Sequence, residues 1–274
     1  MARAEDTNTE ESEDAESKER RSPSSKVVHD AVLAEGFEEL ERPTSALAWS
    51  GLAAGLSMGL SLIAEGTLRT YVPEANWAPL VTRLGYSVGF IVVILGRQQL
   101  FTENTLTPIL PLLERKDRRT FFSVLRLWII VLVTNLFGGM VVAFALAKTS
   151  AFDPDVREAF VKLGREALSP SAGLILLRGV LAGWIIALLV WLLPFAEVAR
   201  LWVILILTYL IGLAKLSHVI AGSIEVFVLA ACGHASWASV FSHYILPALA
   251  GNVLGGVALV AFVNHAQVAA GKDD

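Results

Sequence analysis

A single cysteine, Cys232, stands in 274 residues, so neither an intrachain disulfide nor a thiolate-held metal cluster can form. Charge is scarce as well. Asp, Glu, Lys and Arg make up 18% of the chain while apolar residues make up 54%, a balance unlike that of a water-soluble domain. No basic patch points to nucleic acid. There is no H-E-x-x-H, no clustering of histidine with aspartate and no nucleotide-binding motif, which speaks against an enzyme and leaves no cofactor or metal to expect. The first 45 residues hold no apolar core of signal-peptide length, so the first apolar span is expected to serve as the insertion signal itself.

What the chain does have is long apolar blocks. They run over residues 46–68, 84–112, 121–147, 172–193, 201–231 and 243–266. About 20 helical residues cross a bilayer core of about 30 Å, and every block is long enough. In lipid the backbone must satisfy its own hydrogen bonds, and the blocks are too long and uniform for barrel strands, so each is read as a helix. The expected fold class is an all-α membrane protein with a six-span transporter domain over residues 46–268. Ahead of it, residues 1–48 hold 13 acidic and 6 basic side chains. Residues 1–28 are too polar to bury a core and are expected to be a disordered acidic tail. In residues 29–45, Val32, Leu33, Phe37 and Leu40 share one helical face, which fits a helix lying on the membrane surface or a plain solvated one. Residues 269–274 form a short polar tail. The loop 114–119 (ERKDRR) carries four basic side chains. The positive-inside rule sets that loop and both termini in the cytoplasm, with loops 148–171 and 232–242 outside.

Two features share one spacing. Asn135-Leu136-Phe137-Gly138-Gly139 and Asn252-Val253-Leu254-Gly255-Gly256 are both N-x-x-G-G, 117 residues apart, and Thr102 and His218 lie 116 apart. Two three-span halves joined this way have opposite orientations, an inverted repeat. Coincidence is the alternative, since glycine is common in packed membrane helices; agreement between the two spacings weighs against it. The second and fifth spans, near 30 residues each, are too long for a plain crossing, and polar residues interrupt both. Arg97, Gln98, Gln99, Thr102, Glu103, Asn104 and Thr105 gather in one; Lys215, Ser217, His218, Ser223 and Glu225 gather in the other. Interrupted segments at corresponding positions of two halves point to a transport site. Their half-helix ends are expected to offer free N–H groups and a positive dipole to an anion. His218 is the one side chain here that ordinarily titrates near neutral pH, and Lys215, one turn earlier, adds positive potential. A lone histidine in a span can also serve only as an interhelical hydrogen-bonding group; the matching break favours a pathway role. Arg97, Glu103 and Glu225 read more readily as structural ion pairs.

The motifs Leu100-Phe101-Thr102-Glu103-Asn104, Ser217-His218-Val219-Ile220-Ala221-Gly222-Ser223 and Gly251-Asn252-Val253-Leu254-Gly255-Gly256, in that order among six spans, resemble the formate/nitrite transporter family. Within it, the chain is similar to a divergent bacterial inner-membrane branch of unassigned substrate, over residues from about 30 to 268. The resemblance implies an aquaporin-like protomer with broken second and fifth helices, assembled as a homopentamer with one pore in each protomer. It implies that Thr102 faces His218, that Asn252 is a pore asparagine, that Leu100 and Phe101 with Phe90 form a cytoplasmic constriction, and that Ile211 and Tyr86 form a periplasmic one. The chain departs from the family at Ser217 and Gln99, where glutamate is usual, and at Gly183, where asparagine is usual. The family's lysine near the outer mouth has no counterpart in register, with Lys162 and Arg165 nearby. Lys215 and Arg97 are additions.

The function so implied is passage of a small monovalent anion across the bilayer, proton-coupled or pH-gated, along Thr102, His218, Asn252 and Lys215, in a bacterial inner membrane. A neutral-solute channel of the aquaporin kind is the competing reading, but its two N-P-A motifs do not occur here. A membrane sensor using the acidic tail is a third.

Overall fold

The computed structural model describes residues 23–270, and among them every regular element is helical. The extreme tails lie outside the described residues. Helix α1 is Ser25–Glu41, opened by the Ser24 side chain, which accepts from the Val27 N–H, so residues 25–28, read above as tail, form its first turn. Then follow α2 (Thr44–Tyr71), α3 (Ala78–Leu95), a short α4 (Ile109–Arg115) and α5 (Arg118–Lys148). After these come α6 (Pro154–Leu168), α7 (Ala172–Leu192), α8 (Arg200–Leu213) and α9 (Val219–Ala231). A last helical segment over residues 237–270, α10, carries two π turns, Val240–Ile245 and Val257–Phe262.

Among the described residues four helices are long and apolar enough to cross a membrane: Thr44–Tyr71, Ala78–Leu95, Arg118–Lys148 and Ala172–Phe195. The expected second span therefore begins earlier than residue 84, at Ala78, and its regular part stops at Leu95. The expected fifth span consists of two half-length helices, α8 and α9, separated by residues 214–218. Small residues set the helix spacing. A methyl on Gly55 would overlap the carbonyl of Asn135, and one on Gly183 would overlap that of Asn252. Helices α2 and α5, and likewise α7 and α10, thus pack backbone to backbone. No side chain fits at Gly183.

Two helices outside the spans cover the breaks. In α1, His29, Val32 and Gly36 are buried, a spacing of three and four that puts one face inward. Helix α1 is docked on the protein, with Gly36 against the Thr107 carbonyl. The loop 148–171 is mostly α6, whose buried face is Val156, Ala159, Phe160, Leu163 and Gly164. Here Gly164 meets the carbonyl of Glu225. Each covering helix approaches a broken span through a glycine, because only a missing Cβ allows a helix backbone so near a neighbouring carbonyl.

Candidate functional site

Both broken spans end their first half in the same way. At α3, the N–H of Arg97 bonds to the carbonyl of Ile94 (3.2 Å) and that of Gln98 to Val93 (3.0 Å). At α8, Lys215 bonds to Gly212 (3.1 Å) and Leu216 to Ile211 (3.0 Å). This is the Schellman closure, which needs a left-handed residue just past the helix; Arg97 (φ 52°) and Lys215 (φ 53°) supply it. Glycine is the usual choice there, and a side chain costs about 1–2 kcal/mol. A cation at this position is partly compensated by the negative end of the helix dipole. The two basic residues that stand out as additions in the sequence are thus the caps of the two half-helices. Their side chains turn outward. Arg97 Nη1 lies 3.0 Å from Glu35 on α1, and Lys215 Nζ lies 3.9 Å from Glu166 on α6.

Two asparagines hold the turns that follow. Asn135 Oδ1 accepts from the Phe101 N–H (2.9 Å), while its Nδ2 donates to the carbonyls of Gly51 (2.7 Å) and Gln99 (2.9 Å). Asn252 repeats the pattern: Oδ1 accepts from Val219 N–H (2.8 Å), and Nδ2 donates to Gly179 (2.9 Å) and Ser217 (2.8 Å). Both are fully buried. A backbone leaving a helix inside protein must find partners for its N–H and C=O groups, and one amide side chain supplies three. The free N–H groups expected at the α9 end are therefore taken: Val219 by Asn252, and Ile220 (3.3 Å) and Ala221 (3.2 Å) by Nδ1 of His218. His218 is the N-cap of its own helix, its ring nitrogen acting where a serine or aspartate oxygen usually would.

That capping role fixes the imidazole. Because Nδ1 accepts from two N–H groups, the hydrogen-bond network assigns the proton of the neutral ring to Nε2. Nε2 lies 2.8 Å from Thr102 Oγ1, so the ring donates to the hydroxyl. The Thr102 hydroxyl proton is left to donate elsewhere. Both residues are fully buried. Thr102 is positioned from the other break, where Thr105 Oγ1 donates to its carbonyl (2.8 Å) and Trp128 Nε1 to the Asn104 carbonyl (2.7 Å). Apolar rings close around the pair. Phe90 stands edge to face with His218 (centroids 4.9 Å, 83°) and is followed outward by Tyr86 (5.4 Å). Leu100, Phe101 and Ile211 are buried, with Phe101 edge-on to Trp128 at 5.9 Å.

A cavity lies on either side. One is lined by Tyr86, Ser217, Gly222, Glu225 and Tyr244 together with Arg83, Glu166, Arg178 and Lys215. The other is lined by Glu35, Glu38, Glu39, Arg97, Gln99 and Glu103. Arg97 forms the expected ion pair; Glu103 and Glu225 form none among the described residues, and Glu103 Oε1 is buried without a hydrogen-bond partner. Sequence reasoning missed the charge network behind the first cavity. Glu65, buried on α2, pairs with Arg83 (2.9 Å) and Arg69 (3.0 Å), and both arginines reach Glu166 (3.2 and 2.6 Å). Burial works to raise the Glu166 pKa, but the Arg69 hydrogen bond and the charges of Arg69, Arg83 and Lys215 outweigh it and hold the carboxyl below its ordinary range. The pattern that places Glu166, Val156-x-x-Ala159-Phe160-x-x-Leu163 after an Asp-Pro start, was present in the sequence as an amphipathic helix.

With this geometry in view, comparison with known proteins is direct. The model of the formate/nitrite transporter family matches residues 26–266. The chain belongs to the formate/nitrite transporter family. The family is one of membrane transporters and channels, not of enzymes. The chain is 38% identical over 242 residues (88% of this chain, 78% of the relative) to the inner membrane protein YfdC of Escherichia coli. It is 25% identical over 265 residues (90% of each) to a probable formate transporter of Methanothermobacter thermautotrophicus. In fold it is similar to an FNT family ion channel, with a TM-score of 0.73, 20% identity and coverage of 86% of this chain and 97% of that one. It is also similar to a pentameric formate channel with formate bound, with a TM-score of 0.65, 16% identity and coverage of 84% and 96%.

Proposed function

We propose that this protein passes small monovalent anions of the formate or nitrite kind through a pore in each protomer, and that the cargo is neutralised by a proton at the Thr102–His218 pair. The observation that carries this is the 2.8 Å contact between two fully buried polar side chains, one from each broken span, walled by apolar rings. An anion entering an apolar constriction must shed water and finds there one strong donor chain: Nε2–H to Thr102 Oγ1, and Oγ1–H to the anion. In the proposed transfer a hydronium ion of the cavity water gives its proton to the anion held on Oγ1–H, leaving water and the neutral acid, while the imidazole keeps its Nε2 proton and orients the hydroxyl. Phe90, Tyr86, Leu100, Phe101 and Ile211 are the proposed constrictions. Asn252 supports the pathway by holding its turn, and Lys215 by its charge at the mouth.

The proposal includes two inverted three-span halves. The identical bonding of Asn135 and Asn252, 117 residues apart, the paired Schellman ends and the paired covering helices all support this. A homopentamer in a bacterial inner membrane, with both termini cytoplasmic, completes the reading. One relative is named as an inner membrane protein, and a structural neighbour as a pentameric channel. The test is a stopped-flow screen of proteoliposomes with formate, nitrite, hydrosulfide, acetate, lactate and glycerol across pH. Rapid, acid-stimulated uptake of the smallest anions is expected. Uptake of glycerol alone would favour a neutral-solute channel and sink the proposal.

A further inference from the structure

The cavity beside Ser217 is lined by a cation and a hydroxyl that no described residue pairs with. Arg83 is engaged by Glu65 and Glu166, and Lys215 stands near Glu166. Arg178, on α7, lines the same cavity; among the described residues it has no ion pair and no hydrogen bond. Ser217 is 6% exposed and lines the cavity too. Its carbonyl serves Asn252, but its hydroxyl has no partner among the described residues, and it immediately precedes His218. The hydroxyl is thus available to a ligand in the cavity that Ser217 lines.

We infer that Arg178 and Ser217 hold the anion on this side of His218 before it enters the constriction, and that the site is built for a planar oxyanion with two terminal oxygens; the inference rests on the anion-transport reading above. A guanidinium presents parallel N–H groups that match a carboxylate or nitrite in bidentate fashion, which a point charge does not. The Ser217 hydroxyl adds a donor on the His218 side, and Lys215 deepens the local potential. Glu166 and Glu225 line the same cavity and keep the well shallow, as conduction needs a site that also releases its ion. Hydrosulfide, with one charged atom, would gain the charge and not the fork.

The experiment measures the concentration dependence of formate, nitrite and hydrosulfide uptake into proteoliposomes for the wild type, R178Q, R178K and S217A. R178Q is expected to raise the half-saturating formate and nitrite concentrations about tenfold or more, the effect of losing one charge-assisted contact. R178K is expected to restore hydrosulfide uptake but not the preference for formate and nitrite, and S217A to weaken both oxyanions several-fold. A wild type that moves formate or nitrite, with all three variants unchanged in half-saturation and in the formate-to-hydrosulfide ratio, would overturn the inference. A wild type inert to all three anions would instead overturn the transport reading on which it stands. Should R178Q fail to assemble, the ratio in R178K and S217A decides.

Discussion

His218 carries two duties at once: it caps a helix with Nδ1 and donates to Thr102 with Nε2. A residue in that position cannot be replaced by another donor of different shape without freeing two N–H groups. Thr102 is the gentler place to cut. Thr102→Val keeps the volume and removes the acceptor, leaving the Nε2–H unpaired at a cost of about 1–3 kcal/mol. Formate uptake is expected to fall at least about tenfold, while Thr102→Ser retains most of it; equal uptake by the two variants would separate the hydroxyl from transport. The pairing of these residues was legible in the sequence, through matched breaks and matched motifs. The tautomer was not, because it depends on which N–H groups the ring meets once residues 214–218 have turned. Lys215 read as a pathway charge and Arg97 as an ion-pair partner, neither as a helix cap, for a similar reason. Their left-handed backbone, the property that explains them as caps, has no signature in composition.

At the level of elements, the broken spans stand because two asparagines bind six backbone groups between them. Asn135→Ala and Asn252→Ala each leave two buried turn groups unpaired, a backbone N–H and a C=O, at about 1–3 kcal/mol per group, so each is expected to lower the Tm of the purified protein by at least about 5 °C. Similar losses in the two variants would support equivalent roles; a loss in only one would argue against the repeat. The covering helix α6 carries a pH signature. The Glu166 carboxyl is held below its ordinary value, so its contribution to stability is complete above the unfolded carboxylate range and disappears as pH falls through the lowered folded value. Thermal melts of Glu166→Gln are therefore expected to show a shallower decline on acidification below pH about 4.5 than the wild type. Helix α1 was legible as an amphipathic helix but not as one docked on a break, and α6 escaped a reading tuned to long apolar blocks. Their buried faces are narrow stripes spaced three and four apart, and α6 lies in a stretch that looks like a loop by hydropathy alone.

The whole molecule presents a further apolar face. Phe121, Phe122, Leu125, Ile129, Val133, Phe137, Val141 and Phe144 form an exposed row along α5, a surface that requires lipid or another protomer against it. With a homopentamer, native mass measurement in mild detergent is expected to give five copies of the 29.5 kDa chain; a monomer would leave the protomer pore intact but remove the proposed assembly. Length and hydropathy made the all-helical membrane fold readable, and motif order made the family readable. Residues 237–270 were less so, since π turns alter a helix without changing its apolar content.

Neutralisation of the cargo at the buried pair from the two breaks is the step we propose. It is tested most directly by formate uptake into proteoliposomes at pH values from 5 to 8 for the wild type and His218→Phe, with assembly checked by size. Uptake by the wild type should rise as pH falls, and His218→Phe should lose that rise. Uptake by His218→Phe with the wild-type rate and pH dependence would contradict the account.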